Sequence, residues 1–189
     1  MAKLALNIKD LSYAYKGEWT LMRKAFLNNI NLQVYEGEAF GFLGHNGAGK
    51  TTTIKCLLGL TKKTSGKIEI FGVDSCRTNS RINIGFVPEQ PYFYDHIKVF
   101  ELMEMFGALK GISKSQLKKE IPELLARVKI DHKSKAKLKN LSKGQVQRVA
   151  MAQAMLGSPK LYVLDEPFSG LDPSGRREFS DILLSLIHI

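Results

Sequence analysis

The 189-residue chain predicts an α/β fold, and three stretches of it carry that prediction. Residues 39–43, Ala39-Phe40-Gly41-Phe42-Leu43, are a short apolar run that reads as a buried strand; a glycine-rich turn follows, and residues 53–58 then read as a helix. Residues 161–164 form a second apolar run, apolar on both faces as a central parallel strand is. Between these two runs, residues 97–138 switch to helical spacing.

In chain order, residues 4–8 alternate apolar and polar and predict a first strand. Tyr13 and Tyr15 share a face if 11–15 is extended, and Lys16-Gly17-Glu18 is a turn. Residues 26–34, with Ile30, Leu32 and Val34 alternating, predict a second strand, and Glu36-Gly37-Glu38 turns into the apolar run. After the first helix, 62–66 is a loop, 67–71 a strand and 72–74 a turn. Residues 82–87 predict a strand ending at Pro88-Glu89-Gln90-Pro91, a stiff loop presenting the Gln90 amide. Val99, Leu102, Met103 and Phe106 set a helical rhythm that Gly107 and Gly111 close. A further helical stretch opens at Ile112-Ser113 and carries Leu117, Ile121, Leu124, Leu125 and Val128, with Pro122 placed near a helix start. Ser142 is a good N-cap for the helix that follows, which Gly157-Ser158-Pro159 stops. Asp172-Pro173 pairs an N-cap with proline at the first helical position, and Phe179, Ile182, Leu183 and Leu186 line one face of the last helix.

The chemistry concentrates at Gly44-His45-Asn46-Gly47-Ala48-Gly49-Lys50-Thr51-Thr52, which matches G-x-x-x-x-G-K-[ST] between a strand and a helix. Glycines let the backbone curl so that successive N–H groups face one anion, and the helix adds its positive N-terminal end. Lys50 places a charge on outer phosphates, and the Thr51 hydroxyl is placed to ligate magnesium. Asp165 and Glu166 leave the end of the 161–164 strand together. Two adjacent acids there are costly without a cation, and beside a phosphate loop that cation is magnesium. An amide oxygen such as that of Gln90 at a strand end is a further magnesium donor, against the alternative of a surface glutamine. Either Tyr15 or Tyr13 is placed to stack on a purine.

Composition narrows the classes. Length allows one domain, or one domain with a subdomain. The net charge of +10 raises nucleic acid or an anionic surface, but the lysines spread over 110–143 without interleaved aromatics, so no nucleic acid is expected. Cys56 and Cys76 form no C-x-x-C pair and no metal spacing, which fits a reducing compartment. No signal peptide is expected, and no apolar run approaches the roughly 18 residues of a membrane helix, so any membrane part belongs to another chain.

Together these motifs resemble the ATP-binding cassette of ABC transporters, from about residue 6 to 186. The phosphate loop is similar to Walker A and 161–166 to Walker B; Leu141-Ser142-Lys143-Gly144-Gln145 resembles the family signature Leu-Ser-Gly-Gly-Gln; Ser169-Gly170-Leu171-Asp172 resembles the D-loop; Gln90 falls at the Q-loop position; and Tyr15, with Tyr13 as rival, resembles the adenine-stacking aromatic. The resemblance implies a P-loop NTPase core with a mixed or parallel sheet, an N-terminal antiparallel β subdomain and an inserted helical subdomain. It divides a single domain, 1–189, into a core (1–90 and 157–189) and a helical subdomain with the signature helix (91–156). It implies that Tyr15 and residues 44–52 (Gly44, His45, Asn46, Gly47, Ala48, Gly49, Lys50, Thr51, Thr52) bind ATP. Thr51 and Gln90 would ligate Mg2+, Asp165 would hold it through water, and Glu166 would polarise the attacking water. Ser142, Gly144, Gln145 and the D-loop Asp172 would act across a two-fold dimer, each signature helix capping the partner's ATP. The implied partners are a second ATP-binding subunit and a membrane-spanning transporter subunit on a separate chain, reached from the cytoplasmic face. The Gly-His-Asn-Gly-Ala-Gly-Lys-Thr-Thr-Thr stretch and Gly66-Lys67-Ile68 resemble exporter-type subunits.

Two departures stand out. Lys143 replaces a signature glycine, one residue into the helix where its side chain is free to point to solvent. The family's switch histidine lies on a strand beyond the last helix; the chain ends before that strand, His188 is no substitute, and a fragment lacking the C-terminal strands is expected. Alternatives are a soluble cassette ATPase working on nucleic acid or ribosomes, or a fragment that binds nucleotide without turnover.

Overall fold

The computed structural model describes residues 3–16 and 23–187, in two compact units, 1–82 and 83–189. The Lys16-Gly17-Glu18 turn and His188 fall partly or wholly outside the described residues.

The first unit is built on a four-stranded antiparallel sheet of order β2-β1-β3-β4. The strands are β1 (Leu4–Lys16), β2 (Arg23–Tyr35), β3 (Ser65–Ile70) and β4 (Val73–Asp74). Period-two alternation sorts the faces: Leu6, Ile8, Ile68 and Ile70 are buried, whereas Asn7 and Glu69 turn outward and hydrogen-bond at 3.0 Å. The β1–β2 ladder slips between Ile8 and Leu11. Asp10 and Asn29 take positive φ there, and Asp10 is stitched to Asn31 by two hydrogen bonds of 3.0 and 3.1 Å. The helix α1 (Lys50–Leu57) follows the phosphate loop as the sequence predicts.

One expectation is corrected here. Residues 39–43 are not a buried strand: they carry no strand assignment, join neither sheet, and leave Leu43 92% exposed with Phe40 and Phe42 also exposed. An apolar run becomes a strand only against a hydrogen-bonding neighbour, and no described strand pairs with it.

The second unit holds a parallel pair, β5 (Ile84–Val87) and β6 (Leu161–Leu164), in register from Ile84↔Leu161 to Val87↔Leu164. Both strands therefore end at the same carboxyl edge, where ligands gather in open α/β sheets. Because β6 pairs only with β5 among the described strands, Leu161, Tyr162 and Leu164 are half-buried rather than enclosed on both faces. Around the pair lie α2 (Val99–Leu109), α3 (Lys114–Arg127), α4 (Lys143–Met155) and α5 (Pro173–Ile187). One apolar cluster joins them, including Leu102, Met103, Leu117, Ile121, Leu125, Met151 and Phe179.

Two helix readings also change. Gly107 lies inside α2, where the absence of a side chain admits Leu117; the helix ends at Leu109, and just past its cap the positive φ of Gly111 and the Ile112 N–H bond to the Gly107 carbonyl form the usual glycine stop. Pro122 sits in the middle of α3, not near its start. Its exposed face costs one backbone hydrogen bond, and burial of Leu117, Ile121 and Leu125 on the opposite face outweighs that cost.

Candidate nucleotide site

In the first unit the phosphate loop takes the shape its glycines allow. Gly47 and Gly49 have φ of 84° and 94°, and α1 begins directly at Lys50. A side chain at Gly49 would run into Leu27, so sterics as well as φ require glycine there. The side of the loop at Gly47 is open: a methyl placed there meets nothing within 4 Å. The Lys50 ammonium folds over the loop and donates to the carbonyls of Gly44 at 2.7 Å and His45 at 3.3 Å. The Ala48 N–H donates to His45 O at 3.1 Å, and the His45 ring bonds to Asn46 O at 2.9 Å. Anionic phosphate oxygens attract an ammonium more strongly than neutral carbonyls do. Thr51 is exposed in the first turn of α1; Thr52 and Thr53 are buried, with the Thr53 hydroxyl donating to Gly49 O at 2.9 Å.

The two tyrosines separate. Tyr13 is half-buried and its hydroxyl accepts from Thr61 at 3.4 Å. Tyr15 is 48% exposed, with its hydroxyl 3.4 Å from Thr52 Oγ1. That leaves Tyr15 the better placed to offer a ring face beside the loop.

In the second unit Asp165 is buried, and its N–H donates to Val87 O at 2.9 Å, extending the β5–β6 ladder by one bond. Glu166 is exposed and holds φ of 46°. A left-handed conformation costs a non-glycine residue about 1–2 kcal/mol, and such strain gathers at functional positions. Gln90 is exposed beyond β5, with its Oε1 accepting from the Tyr92 hydroxyl at 3.2 Å. Gln90, Asp165 and Glu166 thus all leave the same edge of the parallel pair. Hydroxyl, amide and carboxylate oxygens of the Thr51, Gln90 and Asp165 type are the hard donors that magnesium takes.

Ser142 caps α4 through a reciprocal box: its Oγ accepts from the Gln145 N–H at 3.3 Å, and its N–H donates to Gln145 Oε1 at 3.0 Å. Gly144 faces Leu171, where an added methyl would come to 3.2 Å. Lys143 is exposed but does not simply point away: its ammonium lies over Gly170, 2.5 Å from where a methyl on that glycine would be. Asp172 caps α5, accepting from the Gly175 N–H and the Ser174 hydroxyl, each at 3.0 Å. The Ser174 bond first, then the Gly175 N–H, holds its carboxyl below the usual aspartate value.

Sequence reading missed Phe26, whose ring meets Tyr15 edge-on at 5.2 Å, and Gln147, whose buried amide donates to Pro167 O at 3.3 Å. Neither carries a motif. Phe26 is aimed by a bulge in the β1–β2 ladder, which no spacing rule announces.

Comparison with known proteins agrees with this geometry. Residues 27–169 match the sequence profile of the ABC transporter family. An uncharacterized ABC transporter ATP-binding protein of Nostoc is 41% identical over 180 residues, covering 94% of this chain and 54% of that protein. The Nod factor export ATP-binding protein I of Cupriavidus metallidurans is 36% identical over 163 residues, covering 85% of this chain and 54% of that protein. Among solved structures, the dimeric bacterial ABC transporter cassette MJ0796 superposes with a TM-score of 0.87 at 26% identity, over 97% of this chain and 83% of that one. The chain spans about half the length of the curated relatives it matches.

Proposed function

The chain belongs to the ABC transporter family as an ATP-binding cassette, and on that premise we propose that it binds and hydrolyses ATP to drive an exporter-type transporter whose membrane-spanning subunit is a separate chain. The observation that carries this reading is the phosphate loop, curled at Gly47 and Gly49 with Lys50 folded across it at the head of α1. In this reading residues 44–52 hold the triphosphate and Tyr15 stacks on the base. Thr51 and Gln90 would ligate magnesium and Asp165 would hold it through water; when bound, the ion would neutralise charge on the outer phosphates. Glu166 accepts a proton from the attacking water, and Lys50 meets charge that builds on the γ-phosphate.

Ser142, Gly144 and Gln145 sit at the N-terminal end of α4, a ready anion site, and act on nucleotide held by a second ATP-binding subunit, together with the D-loop Asp172. The dimeric form of the MJ0796 cassette supports that arrangement. No helix among the described residues is long and apolar enough to cross a membrane, and in this reading the chain attaches through its membrane-spanning partner at the cytoplasmic face. The exposed Tyr92 and Tyr94 after Gln90, with Leu109 on α2, are where that partner would be met. The export direction rests on the loop sequence and on the Nod factor export relative.

The test is ATP binding and steady-state turnover with magnesium, for wild type, Lys50→Ala and Glu166→Gln. Lys50→Ala should lose binding; Glu166→Gln should keep binding and lose turnover. Wild-type affinity in Lys50→Ala, or undiminished turnover in Glu166→Gln, would refute the assignment.

A further inference from the structure

Phe26 stands beside the phosphate loop. In the β1–β2 ladder Tyr13 pairs with Leu27 and Ala14 pairs with Ala25, so Phe26 is the extra residue of a bulge. Bulges re-aim a side chain and recur next to active sites. Here Leu27 turns inward and is buried, filling the space beneath Gly49, while Phe26 stays 40% exposed. Its ring edge lies 3.6 Å from where a methyl on Gly49 would stand, so it borders the loop itself. It also meets Tyr15 at 5.2 Å between centroids with an interplanar angle of 69°. Tyr15 in turn is held edge-on by Tyr13 at 4.9 Å and anchored through its hydroxyl at Thr52. Two exposed rings, set edge to face at 69° at the rim of a phosphate loop, form two walls of a corner. A flat aromatic ligand tethered to a phosphate would lie on one wall and meet the other at its edge, which is the preferred geometry of aromatic contacts.

We propose that Phe26 is a second nucleobase wall: together with Tyr15 it forms an aromatic corner at the phosphate loop that holds the base of a purine nucleoside triphosphate. This rests on the phosphate-loop reading above and adds to it the residue that grips the base. Recognition is by ring faces, so it favours a large π surface over a particular pattern of base hydrogen bonds.

The test separates base from phosphate. Affinities for ATP and for inorganic tripolyphosphate are measured by calorimetry on wild type, Phe26→Ala, Phe26→Leu and Phe26→Tyr, with thermal melts to confirm folding. Phe26→Ala is expected to weaken ATP about two- to twelve-fold, the range of one aromatic contact, and to leave tripolyphosphate unchanged. Phe26→Leu keeps apolar contact with the loop and should weaken ATP while sparing tripolyphosphate, so the proposal stays testable if the alanine variant is unstable. Phe26→Tyr should bind ATP as wild type does. Undiminished ATP affinity in both Phe26→Ala and Phe26→Leu overturns the wall. So does an equal loss of both ligands, because Phe26 would then act only through the shape of the loop. Wild type binding neither ligand overturns the phosphate-loop reading itself.

Discussion

Ser142 offers a way to separate the structural and functional duties of one hydroxyl. In the structure its Oγ caps α4 by accepting from the Gln145 N–H at 3.3 Å, a long bond, while its N–H is held by Gln145 Oε1 at 3.0 Å. Replacing an N-cap serine by alanine costs about 0.5–2 kcal/mol, and the long bond places Ser142→Ala at about 0.5–1 kcal/mol. For a chain of this size that lowers the melting temperature by about 1–4 °C. Ser142→Asp behaves differently. Aspartate caps as well as serine, and its charge suits a helix N-terminus, so the melt should match wild type or rise slightly. If the end of α4 receives the phosphates of nucleotide held by a second subunit, however, a carboxylate there faces like charge. At about 4 Å that repulsion is on the order of 1–4 kcal/mol between water-like and near-surface screening, enough for a loss of about five- to several-hundred-fold. The assay is ATP-driven association in a Glu166→Gln background, followed by sedimentation, beside ATP affinity of the separate chain. Ser142→Asp should keep its melt and its ATP affinity and lose association. Association equal to that of the parent would refute the anion role, leaving Ser142 only a cap.

Two further outcomes follow from packing and charge. Gly107→Ala should destabilise by about 1–3 kcal/mol although alanine is normally the better helix residue, because the new methyl enters the space of Leu117; a chemical melt no weaker than wild type would contradict the close approach. The Glu178 carboxyl is held below its ordinary value of 4.5, first by its bond from Arg148 and then by the charge of Lys129. A lowered folded value means that its stabilisation is present above 4.5 and lost as pH falls through the lowered value. Melting temperature of wild type should therefore drop more steeply below pH 4.5 than that of Glu178→Gln; parallel profiles would count against the contact.

Local chemistry was legible in the sequence wherever the partner of a residue lies a few positions away. Ser142 is found as the N-cap of α4, Asp172-Pro173 as the cap and first residue of α5, and Gly47 and Gly49 curl the loop before α1, each within one turn of chain. That 161–164 is a parallel strand was legible from its apolar composition, but its pairing with β5 was not. What the sequence did not disclose depends on distant partners. Residues 39–43 have the composition of a strand but no described neighbour to pair with. Pro122 has the composition of a breaker but sits on the exposed side of a helix held by three buried residues. Phe26 gained its place from a ladder slip fixed by strand pairing across the hairpin.

Partners distant in sequence also hold the N-terminal half of α4. Lys143 lies on Gly170, Gly144 faces Leu171, the Gln147 amide bonds Pro167 O, and Arg148 bonds Glu178. Positions 143, 144, 147 and 148 share one face of α4 by helical spacing, and that face meets residues 167–171 and, at Arg148, Glu178 of α5. These contacts tie the first turns of α4 to residues 167–171 and, through Arg148, to α5. The departure at Lys143 belongs to this contact: a glycine there would remove the outermost of the four. The cost of that substitution would fall on the contact between the start of α4 and Gly170, not on the fold of the helix, whose cap is made by Ser142 and Gln145.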